Sequence, residues 1–155
     1  MSHEIAAFDK QHLSAMVATG LAGIVAGSLG FVSAVDVRSF LTHIKYDKTK
    51  LVQAHFAIWW PYGRDWMLPL LLTTFAAHVN AYFATENIHW IIPGTFVLLI
   101  APYTAFVLGE DIEALRKSDA QQVAQTARRF CNLHHARFVL ALTGLGLSLI
   151  GLANL

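Results

Sequence analysis

The sequence predicts an all-α protein built as an antiparallel bundle of four transmembrane helices, extended into a polar crown on one side. Three observations predict it. Of 155 residues, 55% are hydrophobic and only 14% are charged, against about 25% charged in an average soluble domain. Four long stretches contain no Asp, Glu, Lys or Arg. Ten of the eleven Lys and Arg residues fall in just two of the connections between those stretches.

The composition also excludes several classes. So short a soluble chain has too little interior to hide this much apolar surface, and the mean hydropathy is +0.49. Disorder requires low hydrophobicity, so it is excluded too. A net charge of +1 leaves no basic footprint for nucleic acid. Cys131 is the single cysteine, which excludes an internal disulfide and a Cys-based zinc site. The length fits a single membrane domain over residues 1–155.

The uncharged stretches are 11–35, 66–85, 87–109 and 138–155. A bilayer core needs about 20 apolar residues per helix. With helical continuity at their ends, the spans are expected over about 12–35, 66–85, 88–109 and 130–154. Helices are expected because lipid offers no water to an open backbone. The first span is too long for a signal peptide, lacks a basic leader and shows no clear cleavage site, so it is expected to be retained. No import presequence is visible.

Arg38, Lys45, Lys48, Lys50 and Arg64 lie between spans one and two. Arg116, Lys117, Arg128, Arg129 and Arg137 lie between spans three and four. The positive-inside rule places both long connections on the cytoplasmic or matrix side and both termini opposite. Trp59, Trp60, Tyr62 and Trp66 cluster where span two begins, the headgroup depth favoured by interfacial aromatics.

Gly20, Gly23, Gly27, Gly30 and Ala34 recur at steps of three and four, and Gly144, Ser148 and Gly151 do so in span four. Small stripes let membrane helices approach closely. They are expected to pack inside the bundle, with a homodimer face as the other reading. Ser118 and Gln121 read as a capping box that starts the fourth helix near Asp119, well before the bilayer. Glu113 and Lys117 form an i,i+4 pair that carries the third helix beyond it. Asp47 is the expected cap of the helix leading to span two, with Pro61 and Gly63 interrupting that helix.

Polar groups at membrane depth are costly and mark candidate sites. Asp36, Arg38, Arg64, Asp65, Glu110, Asp111, His134, His135 and Arg137 all stand at the basic-side boundary. They form either one shared pocket or a set of separate interfacial pairs. His134 and Arg137 are three apart and share a helix face. A histidine can act as a general base, and an arginine beside it can hold a developing oxyanion. His78 and Asn80 suit interhelical hydrogen bonds. No two histidines match in depth for haem, and no His-rich spacing suits zinc. Neither a cofactor nor a metal is expected.

Phe31-Val-Ser33, Trp60-Pro-Tyr62-Gly63, Pro102-Tyr103-Thr104 and Leu133-His134-x-x-Arg137 occur in this order along the chain. In that arrangement the chain resembles the anthrone oxygenase-like family of small four-helix membrane proteins, from about Gly20 to Leu152. The resemblance implies oxidation of anthrones to anthraquinones by dioxygen without an evident cofactor. It implies His134 as base or substrate contact and Arg137 as its electrostatic partner. Trp60, Tyr62, Tyr103 and Thr104 would bind substrate. Phe130 stands where the family has tryptophan, and Ile112 where it has asparagine. Glu110 and Asp111 replace a proline-containing turn. The alternative reading is a non-catalytic accessory subunit of a large membrane assembly, such as a respiratory or ATP synthase complex of the mitochondrial inner membrane. Its partners would be lipids and the other membrane subunits.

Overall fold

The computed structural model describes the backbone of residues 2–117 and 120–155, and the side chains of residues 10–117 and 122–155. Among the described residues there is no strand, and four helical stretches are long and apolar enough to cross a membrane. This is the all-α class that the composition predicts. The structure describes neither the side chain of Ser118 nor that of Gln121, so the capping box lies outside the described residues.

Span one is α1, Ser2–Phe31, which passes through a π-helical turn at Val32–Asp36 into α2, Val37–Lys45. A π turn inserts one residue into a helix and shifts the register of the segment beyond it. Here the shift turns Val37, Phe40 and Ile44 of α2 into a buried face. The chain reverses at Asp47, whose φ of 56° is left-handed, and α3 runs over Thr49–Thr85.

Asp47 therefore belongs to the reversing turn. Lys48 occupies the cap position, with no side-chain hydrogen bond to the helix. Pro61 and Gly63 do not interrupt α3 either. Pro61 and Pro69 lie inside an unbroken helix, each removing one backbone N–H while preserving helical φ.

Glu86, at φ 54°, ends α3 in the left-handed conformation, and its N–H is donated to the Tyr82 carbonyl. The Asn87 side chain accepts from the His89 N–H and starts a short 3₁₀ turn, Ile88–Trp90. Span three comes next as α4, Ile91–Leu98, and α5, Ile100–Val107. The break between them has a cause in sequence: Pro102 has no N–H for the Leu98 carbonyl four residues back. Past Leu108 the chain forms α6, Gly109–Lys117, where Lys117 and Glu113 pair at 3.6 Å as their spacing predicts. Finally α7, Ala120–Ala153, supplies span four.

The spans form a four-sided bundle in which α1 packs beside α3 and α7, while α4 joins α3 to α7. Gly23 meets Leu145 and Gly30 meets Phe138, so part of the first small stripe does face span four. Gly144 and Gly151 instead admit span three: a Cβ on Gly144 would stand 2.8 Å from Val97, and one on Gly151 3.3 Å from Trp90. A Cβ on Gly94 would fall 2.7 Å from the Cβ of His78. That contact is sterically forbidden, so glycine is what lets spans two and three meet there. His78 is satisfied on both nitrogens, by the Thr74 carbonyl and the Ser148 hydroxyl, each at 2.8 Å. Asn80 donates to Ser14 at 3.1 Å. Both residues act as the interhelical hydrogen bonders their positions suggest.

The crown has an apolar core of its own. Phe40 and Val52 pack with Phe56, Leu115, Val123 and Phe130 from α2, α3, α6 and α7. Burying a side chain of Phe size contributes roughly 2–3 kcal/mol, so this layer is a folded cap on the bundle. The outward faces of the spans are apolar, with Phe106 87% exposed. Exposed aromatic surface of this kind suits lipid.

Candidate functional site

Below the crown, at the start of spans two and four, the bundle leaves a cavity of about 540 Å³. Local sequence explains why it stays open. Gly63, Ala101, Ala105 and Gly109 line it, and their small side chains cannot fill the gap. The Pro102 break lies on the same wall. The remaining walls are apolar and aromatic, chiefly Trp59, Trp60, Met67 and Leu71. Trp60 stacks on Phe56 with ring centroids 5.9 Å apart and planes within 3°.

His134 and Arg137 reach this cavity from α7. His134 is fully buried and Arg137 is 5% exposed. Arg137 Nη1 lies 3.4 Å from His134 Nδ1. A guanidinium can only donate, so Nδ1 accepts and the ring proton sits on Nε2. Arg137 Nε is buried and has no hydrogen-bond partner, whereas the His134 ring N–H is directed at the Leu29 backbone carbonyl, which accepts from it. Buried polar groups are nearly always paired, so an orphan guanidinium donor on an apolar cavity is an unusual arrangement. It can grip an acceptor oxygen.

The other expected contacts separate into two groups. Trp60 and Thr104 line the cavity, although the Thr104 hydroxyl is donated to the Ile100 carbonyl at 2.6 Å. Tyr103 stands behind the wall, where its hydroxyl donates to the Leu133 carbonyl at 3.0 Å. It braces the turn that carries His134. Tyr62 lies away from the cavity and is 75% exposed.

The boundary charges do not gather into one pocket. Asp36 faces His55 at 4.0 Å and receives a hydrogen bond from Trp59. Arg64 pairs with Asp65 at 2.7 Å, both largely exposed, and also touches the cavity wall. Asp111 faces Arg129 at 3.4 Å. His135 is exposed, its ring edge-on to that of His134 with centroids 6.5 Å apart, and does not line the cavity. No group of three or more His, Cys, Asp or Glu among the described residues is placed to hold a metal ion.

Residue type alone does not single out Met67, Leu71, Ala101 and Ala105 as cavity residues. For the first two the sequence does carry a signal. Trp60, Gly63, Arg64, Met67 and Leu71 recur at steps of three and four, which puts them on one face of α3. Comparison with protein-family models, curated proteins and solved structures finds no match for this chain.

Proposed function

We propose that the protein is an integral membrane enzyme that oxidises a hydrophobic aromatic ketone with dioxygen. The observation that carries this reading is the unpartnered donor Arg137 Nε–H, on a guanidinium held by His134 beside a cavity walled by Trp59 and Trp60. A lipophilic substrate enters from the bilayer and places its rings against the indoles. Its carbonyl oxygen accepts from Arg137. The ketone is bound as its enolate, the proton of the adjacent methylene having passed to water at the membrane surface, and a preorganised donor in a dry site stabilises the charge on oxygen strongly. Dioxygen then adds to the carbanion carbon. One oxygen atom stays as the new carbonyl, and the other leaves as water, taking the remaining methylene hydrogen and a proton from solvent. This is the reaction that the anthrone oxygenase resemblance implies. In this arrangement His134 holds the Arg137 guanidinium through Nδ1. The basic end of the bundle would face the cytoplasm or matrix.

The test is oxygen uptake by the purified protein with an anthrone. Arg137→Gln is expected to lower it at least a hundred-fold, within the range seen on removing one oxyanion donor. Equal uptake by native and variant protein would defeat the mechanism.

Gly20 and Gly27 favour a second reading. Neither has any non-neighbouring atom within 4 Å of a built Cβ, which leaves an open track on span one for another membrane helix. On this reading the chain is a non-catalytic subunit of a large assembly, for instance in the mitochondrial inner membrane. Extraction in mild detergent separates the two. A particle of several hundred kilodaltons containing this chain supports the subunit, and an isolated monomer or dimer counts against it.

A further inference from the structure

The charge of Arg137 has no counterpart. Among the described residues no carboxylate lies within 4.0 Å of it, although it is 5% exposed. The acids nearest in sequence to the cavity wall are engaged elsewhere or exposed: Asp65 pairs with Arg64, Asp111 with Arg129 and Glu113 with Lys117, and Glu110 is exposed, while Asp36 faces His55 and Trp59. The nearest side-chain partner is His134, which accepts on Nδ1 and so contributes no negative charge. An isolated guanidinium away from water is among the most expensive arrangements in a folded protein, and arginine does not shed its proton to escape it. Thr104 has already given its hydroxyl hydrogen to the main chain. The cavity thus offers a net positive charge, a free guanidinium donor, flat aromatic walls and no carboxylate of its own.

We propose that the cavity is an intramembrane anion site, which takes an aromatic, lipophilic molecule as its oxyanion, a carboxylate or an enolate. One oxygen accepts from Arg137 Nε–H, and the rings lie against Trp59 and Trp60. The inference rests on the site described above and defines the substrate class for the oxygenase reading: the ketone is held as its enolate. Charge-assisted hydrogen bonds are roughly twice as strong as neutral ones. A neutral isostere therefore loses most of the advantage of this site.

The experiment compares two probes on the full chain in detergent micelles at neutral pH, 9-anthracenecarboxylate and its methyl ester. Binding is read by energy transfer from tryptophan to the anthracene, with protein-free micelles as the blank. The carboxylate is expected to bind about ten-fold more tightly than the ester. Arg137→Gln is expected to erase that preference, with carboxylate affinity falling to that of the ester. Should Arg137→Gln fail to fold, the comparison of acid with ester on native protein still decides. Ala105→Phe, which fills the cavity from its wall, should then remove binding of both probes. Equal affinity for acid and ester, or no binding of either, overturns the proposal. Equally tight displacement of the probe by oleate would show a generic lipid-anion site and overturn the aromatic part. Oxygen uptake separates this inference from the enzyme reading. A retained carboxylate preference without uptake of oxygen sinks the oxygenase alone, and uptake without the preference sinks the anion site alone.

Discussion

Asp111 shows what a single carboxyl costs in this fold. It is buried at the start of α6, and its Oδ2 makes no hydrogen bond, although Arg129 Nε stands 3.4 Å away. Burial raises its pKa above the ordinary 3.8, Arg129 opposes the rise, and Glu110 adds to it. The folded state therefore binds this proton more tightly than the unfolded chain does. By linkage, its contribution to stability grows as pH falls through the raised value toward 3.8 and is constant below that. Asp111→Asn is expected to stabilise the protein at neutral pH by about 1 kcal/mol, and the gain should shrink as the pH falls. Thermal unfolding of both proteins in one detergent from pH 4 to 8 checks this. A gain that stays constant over that range would show that ionisation of Asp111 is not the cause. At this scale the sequence is partly legible. The shared face of His134 and Arg137 comes directly from a spacing of three. Tyr62 lies off the cavity because residue type and proximity in sequence to Trp60 say nothing about which way a helical residue points. Two positions along a helix turn the side chain by about 200°.

At the scale of elements, the π-helical turn Val32–Asp36 couples membrane and crown. It turns α2 so that Val37, Phe40 and Ile44 face the crown core. Deleting Ala34 takes out the extra residue, so regular helix replaces the π turn and α2 keeps its facing, whereas inserting one Ala after Val37 adds about 100° to the rotation of α2. The deletion is expected to keep the protection of α2 and the adjoining turn against limited proteolysis, and the insertion to lose it. Equal cleavage of the two variants would show that the π turn does not set that face. Hydropathy does not reveal such a turn, since it alters geometry without altering composition. The same holds for α3. Pro61 and Gly63 are residues that break helices in water, but here α3 continues through both, packed against neighbours. Local propensity is a weak guide where tertiary contacts dominate. Pro102 shows the opposite case, since the helix does break one turn before it, between Leu98 and Ile100.

For the whole molecule, the uncharged stretches and the distribution of cations are enough to give the architecture, because both are properties of long segments and tolerate local error. The four-sided arrangement is less accessible. Span four meets span three through Gly144 and Gly151, whereas a stripe of small residues in sequence names no partner. The basic connections are expected to lie on one side of the membrane. Single cysteines placed at Lys45 and Arg116, in a Cys131→Ser background, should react with a membrane-impermeant thiol reagent from the same side. One placed at Glu86 should react from the other. Labelling of Lys45 and Arg116 positions from opposite sides would refute the four-span topology.

The break at Pro102 also bears on how the molecule responds to its lipid. The stretch Ile88–Val107 has 20 residues, about 30 Å of helix, the same as a typical hydrocarbon slab. The other three stretches have 32 to 37 residues and overhang the slab. A thinner or thicker bilayer is accommodated by tilting helices. In a thinner bilayer this short span too exceeds the slab, and the proline break gives it a place to kink. Because the same bend forms one wall of the chamber beside Arg137, the room available to a guest molecule becomes tied to the thickness of the membrane that delivers it.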